Sequence, residues 1–340
     1  MFDKILHMLE GKKKPSYQDR LQSIHEFFTK YDLYKEMWPK QPDTPLSIVW
    51  AVGTHFPEIF MQQLGSFMQF DNIFHPEDDI IFVADVERKA DIVTSKFMTK
   101  SLQTRGVIVK RPHPGDGPAL NWDVGMDYAK HDRVLLIRDL GLFFNPWHML
   151  SEARSVNIDK SLYNFSTVLG PVWSRFSDRW LYLVHPRFAP NPFLFSLVLS
   201  KADYLSMNGF DTILSRGFDH TGELDFLLRW NMKGYSYVMS EEAHVFHPGI
   251  SANSQEELNE MQFQSSINRR YFFDRYGESF INGLKPPYKS DINMIEVNHA
   301  LTYDPLSEVI LDDFDEQLEE VKDAFTFNKW YHENLVQEVL

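Results

Sequence analysis

Four short apolar runs, separated by stretches of helical character, set the strongest limit on what this chain can fold into. The runs are SIVWAVG (47–53), DIIFVAD (79–85), GVIVKR (106–111) and RVLLIRD (133–139). They are rich in β-branched residues and nearly continuous in apolar character, the pattern of strands buried on both faces. Residues 57–70, 92–103 and 119–130 fill the intervals and read as helices. Strands that alternate with helices in this way predict a parallel, doubly wound α/β sheet. Ligands of such sheets bind beyond the carboxyl ends of the strands. Asp85, the Gly/Pro loop HPGDGP (113–118) and Asp139 stand at those ends.

Beyond Pro146 the rhythm loosens. Residues 160–200 are aromatic and rich in turn signals, which predicts strands and loops added to the sheet. A short helix is expected over 224–233, a strand over 235–240, and a long helix over 255–276 with Gly277 as its C-cap. Before the sheet, residues 1–40 read as helical, with Leu21, Ile24, Phe27, Phe28 and Tyr31 at helical spacing. The acidic run DDFDEQLEE (312–320) reads as a solvated helix or docking arm. These breaks divide the chain into an N-terminal helical extension (1–44), two halves of one domain (45–150 and 151–285) and an acidic C-terminal extension (286–340).

With 43% hydrophobic and 24% charged residues among 340, the chain can bury a sizeable core, and wholesale disorder is excluded. Its 28 Phe serve a core and can also form apolar platforms for substrate rings. The sequence contains no cysteine, which excludes disulfides and thiolate metal sites and points to a cytoplasmic setting. The opening MFDKILHMLEGKKKP does not read as a signal peptide, and no window approaches the roughly 18 apolar residues of a membrane span. A net charge of −14 opposes broad binding to a phosphate backbone. It leaves open a local basic groove from Lys110, Arg111, Arg138, Arg269 and Arg270.

The segment from Asn208 to His247, NGFDTILSRGFDHTGELDFLLRWNMKGYSYVMSEEAHVFH, carries more polar groups than a packed core requires. It holds a Gly-Phe-Asp turn (209–211), the carboxylates Glu223 and Asp225, Arg229 four residues after Asp225, and a terminal His247. Such groups suit a reaction that needs a base, a divalent cation and a bound sugar. Each also has a plainer reading. Glu223 can be a first-turn acid favoured by the helix dipole. Asp225 and Arg229 can be a simple i,i+4 pair. Asp85 and Asp139 can be strand-end turn residues, and His247 a structural histidine.

In their order and spacing these motifs, over roughly residues 46–280, resemble the GT-A fold glycosyltransferases, particularly those of the inverting family 2 type. The resemblance implies a Rossmann-like mixed sheet flanked by helices, with 45–150 as the nucleotide-sugar-binding half and 151–285 as the acceptor-binding half. Val83-Ala84-Asp85 is similar to the family's Val-Asp-Asp strand ending, so Asp85 would contact the nucleotide base. Gly117, Asn121 and Gly125 resemble the family's glycine-containing helix start beside the nucleotide sugar, with Leu120 where arginine is common. The family's Asp-x-Asp falls on Leu136-Ile137-Arg138-Asp139-Leu140-Gly141, where only Asp139 is acidic. Arg138 and Asp139 would hold the diphosphate, and Asp139 with His247 a divalent cation, Mn²⁺ or Mg²⁺. Arg138 could instead supply part of that positive charge itself. Gly209-Phe210-Asp211 resembles the family's Gly-Gly-Phe-Asp-Glu turn. The segment Gly222 to Arg229 resembles Glu-Asp-x-Asp-Leu-x-x-Arg, with Glu223 on the base position and Gly222 replacing the family's Glu.

The expectation is therefore an enzyme that moves a sugar from a nucleotide-sugar donor, with UDP-sugar the leading choice, to an acceptor hydroxyl with inversion. Glu223 would be the general base, and Asp225 and Asp211 would position the sugars. A non-catalytic nucleotide-sugar- or glycan-binding protein with a degraded metal site is the alternative class. A nucleotidyltransferase is a third, without its usual glycine-rich loop near the first strand. The acceptor is open: a glycan, a lipid-linked intermediate, a protein or a small molecule. A hydroxymethylated DNA base is a minority choice that the acidic net charge disfavours.

Overall fold

A computed structural model describes residues 40–53, 57–68, 70, 72–86, 89–100, 102, 104–109, 118–139, 142–143, 146–169, 172–174, 179–181, 194, 196–215, 221–247, 267–268, 270–272, 274–277 and 336–338. Residues 1–39 of the expected N-terminal helix and the acidic run 312–320 lie outside these residues, as do residues 255–266 of the expected long helix.

The first half of the chain forms β1 (Ser47–Val52), α1 (Pro57–Met68), β2 (Asp79–Asp85), α2 (Lys89–Met98), β3 (Thr104–Val109), α3 (Pro118–Tyr128) and β4 (Arg133–Arg138). Each expected strand and helix is present. Helix α2 begins at Lys89 rather than Ile92 and ends at Met98 rather than Gln103. It stops early because the chain must turn to enter β3, and Leu102 N–H donates to the Thr99 carbonyl at 2.8 Å in that turn. β1 pairs in parallel with β2 on one side and β4 on the other, and β3 lies beyond β2. The order reverses between β1 and β4, which makes their carboxyl ends the topological switch point.

The second half adds β5 (Leu142–Phe143), α4 (Pro146–Ser155), β6 (Ser161–Leu169), β9 (Ser196–Ser200), α5 (Lys201–Leu205), α6 (Thr221–Met232) and β10 (Ser236–His247). Strands β7 (Val172–Ser174) and β8 (Arg179–Leu181) make a separate antiparallel pair. β11 (Val336–Glu338) runs antiparallel beside β3. Among the described residues the main sheet has nine strands in the order β11-β3-β2-β1-β4-β9-β6-β10-β5. β9 is antiparallel to both β4 and β6, so the sheet is mixed. The parallel expectation holds for β1 to β4, and the antiparallel β9, from the stretch whose sequence carries no helical pattern, makes the sheet mixed. The result is the Rossmann-like mixed sheet flanked by helices that the resemblance implies.

Side-chain alternation along each strand divides the core into two layers. Leu135 and Ile137 of β4 join Trp50, Phe60, Phe67 and Phe82 on the α1/α4 face. Val134 and Leu136 join Trp122, Phe210, Phe226 and Trp230 on the α3/α6 face. Gly125 lets α3 lie directly on β1, since a Cβ there would come within 2.1 Å of Val49 Cγ1. No described helix is long and apolar enough to cross a membrane.

At the opposite end of the sheet from the carboxyl ends, Arg154 of α4 grips Asp78 through two hydrogen bonds of 2.8 and 2.6 Å, both side chains 1% exposed. Asp78 also accepts the Leu46 and His75 backbone N–H groups, and Arg154 donates to the Thr44 carbonyl. Breaking a buried pair strands one charge away from water. Arg154→Met should therefore lose about 3–5 kcal/mol. Urea unfolding checks this, with a lowered midpoint and an unchanged m value.

Candidate functional site at the carboxyl edge of the sheet

Arg138 is the last residue of β4, at the switch point. It continues the Val134–Leu136 face, so its side chain lies on the α3/α6 side of the sheet. Its guanidinium carbon lies 5.1 Å from the Trp122 ring centroid, a cation–π stack that fixes its plane. Its carbonyl accepts from Gln63 Nε2 at 2.7 Å, while Gln63 Oε1 accepts from the Trp50 indole N–H. From this anchored position Arg138 Nη2 donates to Glu223 Oε1. Arg138 is 7% exposed and Glu223 4%. The site thus joins the end of β4 to the first turn of α6, where the dipole further favours the Glu223 carboxylate.

Asp139 is fully buried and holds the switch point together. Its N–H donates to the Ala51 carbonyl at 3.2 Å, and its Oδ2 accepts the Gly53 N–H at 2.9 Å. One of the two oxygens is therefore committed to the backbone beyond β1. Asp85 stands half-buried at the end of β2, opposite Val109. Asn121 is fully buried in the first turn of α3, where its Nδ2 donates to the Val83 carbonyl at 3.3 Å. Its Oδ1 is buried and meets no donor. Gly117 lies outside the described residues. His247 is the last residue of β10, next to Phe246, which pairs with Leu142 of β5 shortly after Asp139.

A divalent cation needs several oxygen or imidazole ligands converging on one point. Among the described residues no group of three His, Asp or Glu side chains does so. Asp139 has one oxygen engaged, and the adjacent position carries a guanidinium instead of a second acid. The described residues do not fit such a cation.

The Gly-Phe-Asp turn is built by backbone strain and buried charge. Asn208 and Gly209 both adopt positive φ, 60° and 65°. A Cβ on Gly209 would lie 2.3 Å from Asp123 Oδ1, so only glycine fits. Asp123 Oδ1 accepts the Phe210 N–H at 3.0 Å and the Tyr204 hydroxyl. Burial, followed by the Asp123 charge, pushes the Tyr204 pKa well above its usual value. Arg229 closes the turn from α6, donating to the Met207 and Gly209 carbonyls at 2.6 and 2.9 Å and to Asp225 Oδ2 at 2.8 Å.

Asp211 and Asp225 belong to the same buried network. Asp211 Oδ1 accepts the N–H groups of Ile213 and Leu214, and its Oδ2 accepts from Arg275 at 2.8 Å and Tyr271 at 3.4 Å. Asp225 Oδ1 accepts from Tyr276 at 2.6 Å and pairs with Arg275 at 3.2 Å. Both carboxylates thus hold α6 against the helical residues of 267–276. Arg275, Tyr271, Tyr276, Trp122 and Asp123 went unassigned in the sequence, where no local spacing ties them to the Gly-Phe-Asp turn. Gly222, the departure from the resembled motif, has a steric cause. A Cβ there would lie 2.9 Å from the Leu214 carbonyl and 2.6 Å from Ser215 Oγ.

No protein-family model matches the chain, and no curated protein does. Among solved structures, the chain is similar to the mannosyltransferase PcManGT from Pyrobaculum calidifontis, in complex with GDP-Man and Mn²⁺. Identity is 10% and the TM-score 0.47, over 92% of this chain and 93% of that one. It is similar to GalNAc-T7 with UDP, GalNAc and Mn²⁺ at 11% identity and a TM-score of 0.44, over 81% of this chain and 58% of that one. It is also similar to S. aureus TarS at 13% identity and a TM-score of 0.41, over 66% of this chain and 39% of that one. The chain thus spans well under half the length of that TarS structure.

Two outcomes follow from the turn. Gly209→Ala should destabilise the protein by at least about 1–3 kcal/mol, since it forces both a left-handed side-chain residue and a collision with Asp123; chemical denaturation measures the loss. Burial first, then the Asp225 charge, raises the Asp211 pKa above the ordinary 3.8. The folded protein then holds that proton more tightly than the unfolded chain, so this group's contribution to stability falls as pH rises from 3.8 through the raised value. The unfolding free energy of the wild type minus that of Asp211→Asn should decline across that window and be level above it.

Proposed function

We propose that the chain is a glycosyltransferase that moves a sugar from a nucleotide-sugar donor, a UDP-sugar in the first instance, to an acceptor hydroxyl with inversion. The observation that carries this reading is the meeting of Glu223 with Arg138 at the switch point of the sheet. A carboxylate and a fixed cation stand together where doubly wound sheets bind ligands.

An inverting transfer is one displacement. The acceptor oxygen forms a bond to the anomeric carbon as the bond from that carbon to the β-phosphate oxygen breaks. The departing electron pair stays on the nucleoside diphosphate, and the acceptor proton passes to a carboxylate. In this reading Glu223 is the general base, and Arg138 lies on the side of the developing diphosphate charge. Asp85, Gly117 and Asn121 line the nucleotide side, where the buried Asn121 Oδ1 is available to a donor N–H group. Asp211 and Asp225 shape the acceptor side through the turn they brace. Residues 45–150 form the donor half and 151–285 the acceptor half. The cysteine-free composition supports a cytoplasmic enzyme.

A second reading, a non-catalytic nucleotide-sugar-binding protein, draws on the same ion pair, because a carboxylate engaged by an arginine is not yet an open base. The two are separated by measuring UDP release from a panel of UDP-sugars, with and without added hydroxyl acceptors. Glu223→Gln should lower kcat by about 10²–10⁴-fold if it removes the base. Turnover that survives this substitution undiminished would remove Glu223 from the mechanism. Binding of UDP-sugars with no release under any condition would favour the second reading.

A further inference from the structure

Glu223 is already engaged by Arg138, with both side chains almost fully out of water. We propose that Arg138 is shared between the two reactants. It holds Glu223 before the donor binds and passes to the donor's diphosphate when it arrives, freeing the carboxylate for the acceptor hydroxyl. This rests on the glycosyl-transfer reading and assigns Arg138 a diphosphate-binding role within it.

Three observations support the exchange. Arg138 sits at the carboxyl end of β4, beside the switch point at which a diphosphate would enter, and the neighbouring acid Asp139 is tied to Gly53. The described residues do not converge on a divalent cation there, and among them the Arg138 guanidinium is a fixed positive charge at that strand end. The Trp122 ring beneath Arg138 and the Gln63 amide on its carbonyl hold the residue in place with its Nη2 on the Glu223 carboxylate. A guanidinium binds a carboxylate and a phosphate with the same planar fork, so one can replace the other without rebuilding the site. Two anions competing for one cation are thermodynamically coupled: the diphosphate weakens the Glu223 contact by the same factor by which that contact weakens diphosphate binding, so removing Glu223 relieves the penalty.

That coupling supplies a test with opposite signs in two variants. The full chain is titrated calorimetrically with UDP and with UMP, each in EDTA and in Mn²⁺. UDP should bind in EDTA. Arg138→Met should weaken UDP by about tenfold or more and leave UMP nearly unchanged, with Arg138→Lys recovering part of the loss. Glu223→Gln, which removes the competitor, should tighten UDP by roughly fivefold or more while lowering transfer by about 10²–10⁴-fold. A misfolded or merely loosened variant cannot bind its ligand more tightly, so the gain in Glu223→Gln distinguishes exchange from a structural role. The proposal is overturned if UDP binds only with Mn²⁺, if Arg138→Met binds UDP as the wild type does, or if Glu223→Gln binds it no better. In those cases the glycosyl-transfer reading is untouched, because UDP release from UDP-sugars tests it separately. If neither UDP, GDP, ADP nor CDP binds the wild type, that reading falls and the exchange falls with it.

Discussion

The ion pair between Arg138 and Glu223 ties together parts of the chain that lie 85 residues apart. Taking both charges out of water is costly, and their attraction offsets the cost only when the geometry is good and other groups hold each partner in place. Here the holding groups are Trp122 under the guanidinium, Gln63 on the Arg138 carbonyl and the N-terminal turn of α6 around Glu223. Through this pair the parallel half of the sheet and the helix that carries the candidate base share one point. The carboxyl edge of the sheet becomes a single site there.

Around that point the protein spends its other buried charges on architecture. Asp139 fastens β4 to the residue after β1. Asp123 holds the left-handed turn at Asn208-Gly209, and Arg229 closes the same turn from the other side. Asp211 and Asp225 share Arg275, with a tyrosine hydroxyl on each. Burying two carboxylates so close together raises the cost of ionising Asp211, which the guanidinium and backbone donors only partly offset. Satisfied networks of this kind rigidify a region. A rigid turn beside Glu223 is what a site needs in order to hold a hydroxyl within hydrogen-bond reach of a base.

Much of the frame was legible in the sequence. A buried strand needs a run of apolar residues and a crossover needs a helix, and both leave a local pattern. The four parallel strands and three helices appear where those patterns stand, with ends that shift where a turn intervenes. The reversal at β9 was not legible, because strand direction depends on which partners are available in space. The buried network was legible only in pieces. The spacing of Asp225 and Arg229 announced their pair, and the Gly-Phe-Asp run announced a turn. Nothing local announced that Tyr276 and Arg275 would reach Asp225, or that Asp123 would receive the Phe210 N–H. Those partners lie 51 and 87 residues from the groups they bind.

The sequence by itself determined the kinds of chemistry this protein can hold. It has no thiolate, one acid rather than two at the end of β4, and a glutamate opening the helix that follows the Gly-Phe-Asp turn. Only the tertiary structure decided which of those groups meet. The side-chain period of two sends Arg138 to the same face of the sheet as α6, while Asp139, one residue on, bonds back to Gly53. Local pattern could name a cation and a base, but it took the stacking of helices on that face to place the guanidinium on the carboxylate.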